Sequence, residues 1–176
     1  MEDEIINEEL SIQNERVNPA RTMDSKTFTK PVSELRFPNP VTLDIEESVQ
    51  DAIMFMQMKQ FGCILITKGE ELVGILTERD IISKAIGAEK DFHSMKVSEI
   101  MTPNPESFQA HDTIGYIMKA MAVGGFRHVP IIDKENHPVG VVSVKDIVNF
   151  IVEHFAEDVL NLPPKPILKT DTREGA

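Results

Sequence analysis

The stretch GILTERD, residues 74–80, returns as GVVSVKD at residues 140–146. In each copy a glycine precedes two apolar residues, a Thr or Ser follows, and an Asp stands three positions after the hydroxyl. A heptapeptide is short, so its weight depends on whether the flanking sequence repeats in the same register. It does. PVSELRFPNPVTLDIEESVQDAIMFMQMKQFG (31–62) aligns with KVSEIMTPNPESFQAHDTIGYIMKAMAVGGFR (96–127) at a constant offset of 65, matching Val32 with Val97, Ser33 with Ser98 and Pro38-Asn39-Pro40 with Pro103-Asn104-Pro105. The register continues through Ala52 with Ile117, Met56 with Met121 and Phe61 with Phe126, and one extra residue around positions 136–138 lengthens it to 66 at the second glycine. A register held over more than fifty residues marks a tandem duplication.

Each copy reads as the same string of elements. Short strands are expected at VTL (41–43) and ESF (106–108), each after a proline turn. Val49, Ala52, Ile53 and Met56 fall on one face of a helix over 46–59, and Ile114, Ile117, Met118 and Met121 do so over 112–123. CILIT (63–67) with LVGIL (72–76), and HVPII (128–132) with VGVVS (139–143), read as antiparallel strand pairs across the polar turns KGEE and DKENH. A closing helix follows each pair, with Ile81, Ile82, Ala85 and Ile86 apolar in the first and Ile147, Val148, Ile151, Val152 and Phe155 in the second. The fold class is therefore α/β (α+β), two βαββα repeats. One three-stranded sheet has too little core to stand alone, so the copies are expected to pack together with pseudo-two-fold symmetry. The boundaries are an acidic N-terminal extension (1–27), a first repeat (28–90), a second (91–156) and a flexible tail (157–176), with the polar stretch 87–95 as connection.

Composition restricts the function. A net charge of -11 over 176 residues opposes a role on nucleic-acid backbone or anionic lipid. No apolar run is long enough to cross a membrane, and the acidic start, MEDEIINEELS, is unlike a secretory signal. The lone Cys63 rules out an intrachain disulfide, and a cytoplasmic location is expected.

The two hydroxyl-acid pairs, Thr77 with Asp80 and Ser143 with Asp146, have the spacing of a helix capping box, which alone accounts for them. A second reading takes in the setting. Gly74 and Gly140 are expected to let backbone come close to a ligand, free amides at a helix start favour an anion, and an acid one turn in can accept hydrogen bonds from a ribose diol. The combination suits a nucleotide better than bare phosphate. Arg79 and Lys145 precede each Asp as solvated charges or phosphate partners. Arg127 and His128 stand where the first copy has Gly62 and Cys63, so a basic wall is expected in the second crevice alone. The five histidines form no metal-ligand pattern, no nucleophile stands with a base, and Cys63 reads as a small buried hydrophobe. Met54, Met56 and Met58 cannot share one helical face, which points to exposed thioethers and a helix-mediated homodimer, with core filling as the alternative.

Over residues 28–155 the repeat, its βαββα order and its doubled G-h-h-[TS]-x-x-D ending, where h is apolar, resemble a tandem pair of CBS domains, a Bateman module. The resemblance implies two crevices for adenosine-type nucleotides such as AMP, ADP or ATP, no required cofactor, no catalysis, a dimer and a regulatory role. It implies that Asp80 and Asp146 hold ribose, that Thr77 and Ser143 meet phosphate, and that Pro40-Val41-Thr42 and Pro105-Glu106-Ser107 line the base. Ile64 and Val129, or their neighbours Cys63 and His128, would form the crevice side, with Pro130 matching a family proline that Leu65 replaces in the first copy. The short flanks are expected to leave no room for a second domain, so that a regulated partner is another chain. The alternative is a structural or interaction module whose crevices have decayed.

Overall fold

A computed structural model describes residues 25–86 and 91–154. Most of the acidic extension, all of the tail, Phe155 and residues 87–90 of the connection lie outside the described residues. The first repeat and the second as far as Val148 fall in one compact unit, Asp24–Val148, and residues 149–154 belong to another.

In the first repeat, β1 (Thr42–Asp44) leads into α1 (Val49–Lys59), and β2 (Cys63–Lys68) pairs with β3 (Glu71–Thr77). The second repeat runs β5 (Phe108–Gln109), α2 (Ile114–Gly124), β6 (His128–Ile132), β7 (Pro138–Ser143) and α3 (Val144–His154). A two-residue strand between them, β4 (Thr102–Pro103), joins the first sheet. The sheets have the orders β1-β2-β3-β4 and β5-β6-β7, and in each the first pair is parallel and the second antiparallel. Parallel neighbours need a crossover, and α1 and α2 supply it.

The helices start and stop where local chemistry requires. Ser48 and Thr113 cap α1 and α2 by accepting the amides of Asp51 and Tyr116. Gln60 and Gly125 end them in the left-handed region, at φ 55° and 68°. Helix α1 thus begins three residues later than the periodicity proposes, because residues 46–48 form the turn and the cap. After β3 the first repeat makes one α-helical turn, Glu78–Asp80, then a π-helical turn over Ile81–Ala85. Ile81 and Ala85 are buried there, whereas Ile82 and Ile86 are exposed.

The cores show what the linear reading does not. Val32 and Val97 each sit in a short 3-10 turn, fully buried, on the other repeat. The Val32 amide donates to Asp112 O at 2.7 Å, and the Val97 amide to Glu47 O at 2.9 Å. Met95, Val97 and Ile100 pack with Val49, Ala52, Met56, Ile64 and Leu76 in the first repeat's core. Residues 91–95 are therefore not simple linker: Met95 is buried and Phe92 packs beside it, because their apolar side chains complete that core. A second cluster, Cys63, Leu65, Leu72 and Ile75, packs against Ile132 and Val141 and so joins the two copies. The hairpin turn of the second copy reinforces that contact, since Asn136 O accepts the Leu72 amide and Asn136 Nδ2 donates to Leu72 O.

Candidate functional site

The two hydroxyl-acid pairs lie where a strand hands over to a helix, and their local geometry is the same. Asp80 Oδ2 accepts the Thr77 amide at 3.0 Å and the Thr77 hydroxyl at 2.6 Å, while the Asp80 amide donates back to that hydroxyl. Asp146 Oδ2 accepts the Ser143 amide at 2.7 Å and its hydroxyl at 2.6 Å, with the same return bond. The capping function is thus present in both copies.

The second carboxylate oxygen separates them. Asp80 Oδ1 is met by Lys84 Nζ at 2.7 Å and by the Thr102 hydroxyl at 3.4 Å, and Asp80 is buried. Burial works against its charged form, but Lys84 and Thr77 outweigh it and hold the carboxyl below the ordinary aspartate range. In the second copy Phe150 takes the sequence position of Lys84. Asp146 Oδ1 has no hydrogen-bond partner among the described residues and remains open to solvent.

Two clefts flank these pairs. The larger, about 660 Å³, takes Ser143, Lys145 and Asp146 from the second copy's ending and Pro40 and Val41 from the first copy's leading segment. The smaller, about 300 Å³, takes Thr77, Arg79 and Asp80 with Pro105 and Glu106. Each motif thus faces the leading segment of the other repeat. The larger lies well inside the size range of small-ligand sites, about 300–1,000 Å³, and the smaller at its lower limit.

Two expectations are corrected here. Arg127 and His128 do not belong to the second crevice alone: both residues border both clefts, together with Gly62 and Glu78. The pairing of Cys63 with Thr77 and of His128 with Ser143 puts the starts of β2 and β6 beside the two motifs, so the wall is common. Nor do Gly74 and Gly140 open the backbone to a ligand. A Cβ on Gly74 would run into the Met101 side chain, and one on Gly140 into the Phe37 ring, so these glycines serve packing.

Of the remaining expected residues, Cys63 lines the larger cleft. Ile64, Val129 and Pro130 are buried in strands, Thr42 is exposed at the start of β1, and Ser107 is half-buried; none of the five reaches either cleft wall. Glu78 is a wall residue that the sequence reading passed over, although it stands between Thr77 and Arg79.

Charge is concentrated at the common wall. Burial, with Arg127 beside it, holds the His128 imidazole below the usual histidine value, against the pull of Asp146 and Glu78. Burial pushes the Cys63 thiol up to about 12, with Glu78 and Asp146 adding to the effect. Arg127 and Lys145 form no ion pair among the described residues, so the larger cleft holds two cations whose donors are not tied to a carboxylate. No group of three or more metal-ligating side chains occurs among the described residues. None of the described helices is long and apolar enough to cross a membrane.

The CBS domain family model matches residues 32–87 and 97–153, so the chain belongs to the CBS domain family, as a tandem pair. CBS domains are, as a family, regulatory and non-catalytic modules. Among curated relatives it is 30% identical to CBSCBSPB5 of Arabidopsis thaliana over 133 residues, covering 74% of this chain but only 24% of that protein. It is 28% identical to the mitochondrial CBSX3 of the same plant over 162 residues, covering 85% of this chain and 78% of the relative. Among solved structures, the CBS domain pair of MJ0100, in complex with 5'-methylthioadenosine and S-adenosyl-L-methionine, is 26% identical, with a TM-score of 0.61 over 69% of this chain and 98% of that one. A CBS domain protein from Pyrobaculum aerophilum, complexed with AMP, shares the fold at 22% identity and a TM-score of 0.63, covering 70% and 96% of the two chains. Structural relatives of this chain thus bind adenosine-type ligands.

Proposed function

We propose that the chain is a regulatory module that senses an adenosine nucleotide, AMP, ADP or ATP, held in the larger cleft. The observation that carries this reading is Asp146, whose Oδ2 completes the helix cap while Oδ1 has no hydrogen-bond partner among the described residues, in a cleft that Arg127 and Lys145 also line. That oxygen accepts the ribose hydroxyls, and the Arg127 and Lys145 side chains take the phosphate, while the Ser143 hydroxyl stays committed to Asp146. His128 adds a donor when it gains a proton, and the adenine lies beside Pro40 and Val41. The adenosine-type ligands of the MJ0100 pair support the shared part of these molecules. Exposed Met54 and Met58 on α1, with Tyr116 and Val123 on α2, support a second copy of this chain as the contact that transmits occupancy to a regulated protein.

A decayed-site reading has support for the smaller cleft only, where Lys84 and Thr102 already occupy the Asp80 oxygen that a ribose would need.

The test is calorimetric titration of nucleotide-free protein with AMP, ADP, ATP and NADH, repeated on Asp146→Asn, which keeps an oxygen for the cap. Losing a charge-assisted acceptor is expected to weaken the best ligand roughly 10- to 100-fold, from about 1.5–3 kcal/mol. Unchanged affinity rules out the ribose role. No heat with any of the four ligands leaves the structural module as the reading.

A further inference from the structure

Pseudo-two-fold symmetry would give each cleft its own basic residue at the start of the middle strand. The sequence supplies one. Arg127 has Gly62 as its counterpart in the first copy, and Arg127, His128, Gly62 and Glu78 form a wall common to both clefts. Resting on the nucleotide reading above, we infer that Arg127 is a single phosphate anchor contested by both clefts, so that one chain holds one phosphorylated adenosine ligand at full strength and a second only weakly.

A guanidinium is planar and rigid, and two parallel hydrogen bonds to one phosphate fix its direction. A second phosphate across the wall then finds that guanidinium turned away, and meets the first phosphate's charge in a setting less screened than bulk water. The smaller cleft has little to offer in exchange. Its own cation, Arg79, already donates from Nη1 to Gly125 O at 3.5 Å, and Glu106 lines its mouth in addition to the motif's own Asp80. In the larger cleft Val41 stands at the sequence position of Glu106, so the mouth there is apolar rather than acidic. The first phosphate therefore goes to the larger cleft. An adenosine ligand without phosphate makes no claim on Arg127, and its two binding events differ only by the intrinsic difference between the clefts.

The experiment is calorimetric titration of the full chain with AMP and, separately, with adenosine, each to millimolar concentration, comparing the ratio of second to first dissociation constant. The expected ratio is at least tenfold greater for AMP than for adenosine. The gain-of-function variant is Gly62→Arg, which gives the first copy its missing guanidinium. A Cβ at Gly62 has its nearest neighbours, the His128 ring and the Glu78 carboxylate, at 3.5 and 3.6 Å, which is ordinary contact. In this variant the second AMP is expected to tighten about tenfold, with the adenosine ratio unmoved. Equal ratios for AMP and adenosine in the unaltered chain overturn the proposal, as does a single event with each ligand, since the smaller cleft is then closed whatever the phosphate. A folded Gly62→Arg protein whose second AMP site is unchanged overturns it too. Absence of heat with both ligands instead removes the nucleotide reading on which the proposal rests.

Discussion

The ring of Phe37 fills the space that a Cβ on Gly140 would need. Met101 covers Gly74 in the same way, so the glycine that opens each repeated heptapeptide is a seat for a side chain arriving from a different segment. An aromatic ring is rigid where a thioether bends, and the two seats should differ in tolerance.

Gly140→Ala is accordingly expected to destabilise the protein by about 1–3 kcal/mol, the range for overpacking a filled site. Gly74→Ala should cost less, because the Met101 side chain can rotate away. Urea unfolding of both, with Phe37→Ala added to Gly140→Ala, tests the cause. If removing the ring recovers none of the loss, the close approach is not responsible.

Acid sensitivity follows from the Asp80 carboxyl. Its value in the folded protein lies below that of the unfolded chain, so the folded state holds fewer protons and gains stability above the unfolded value of about 3.9. That stability disappears as pH falls through the folded value. Lys84 is half-exposed, so Lys84→Met is expected to cost only about 0.5–1 kcal/mol at neutral pH. At a pH where Asp80 is protonated in both states the variant and the parent should converge. Denaturant midpoints measured along a pH series decide this, and a constant difference between the two proteins would falsify the ion pair's contribution.

Cys63 is buried, and its thiol is pushed up to about 12, chiefly by burial. Thiolate is the reactive form, so the native protein should react with an aromatic disulfide reagent far more slowly than an unfolded peptide of the same sequence. Addition of denaturant should release the block through the unfolding transition. Immediate reaction under native conditions would place the sulfur at the surface of the larger cleft rather than beneath it.

The parts of the fold that were legible in the sequence are those whose signals are local. The antiparallel strand pairs, the α1 and α2 faces and the hydroxyl-acid caps each rest on residues within fifteen positions of one another, and all are present. The exchange of leading segments was not read, because a few apolar residues in a short polar turn carry it on each side. The duplicated VSEL and VSEI, residues 32–35 and 97–100, were the available signal: Val32 and Leu35, like Val97 and Ile100, are all buried. The same exchange explains the cleft residues. That Ser143 and Asp146 flank one cleft was readable from the motif, but the partner across it, Pro40 and Val41 of the first copy, is decided by how the repeats cross. Met101 and Phe37 have no marker of their contact with glycine in the chain, since a glycine is permissive for a ligand, a turn or a neighbour alike.

The crossed leading segments also order events on the ribosome. Synthesis delivers the first repeat whole while Met95, Val97 and Ile100 are still to come, and its core waits for them. The segment around Val32, made earlier still, has no landing place until Asp112 emerges. A nascent chain stalled between those points exposes apolar surface with no partner of its own, and is a natural client for a chaperone. Neither half finishes before the other: the two repeats, copies of one another in sequence, mature together.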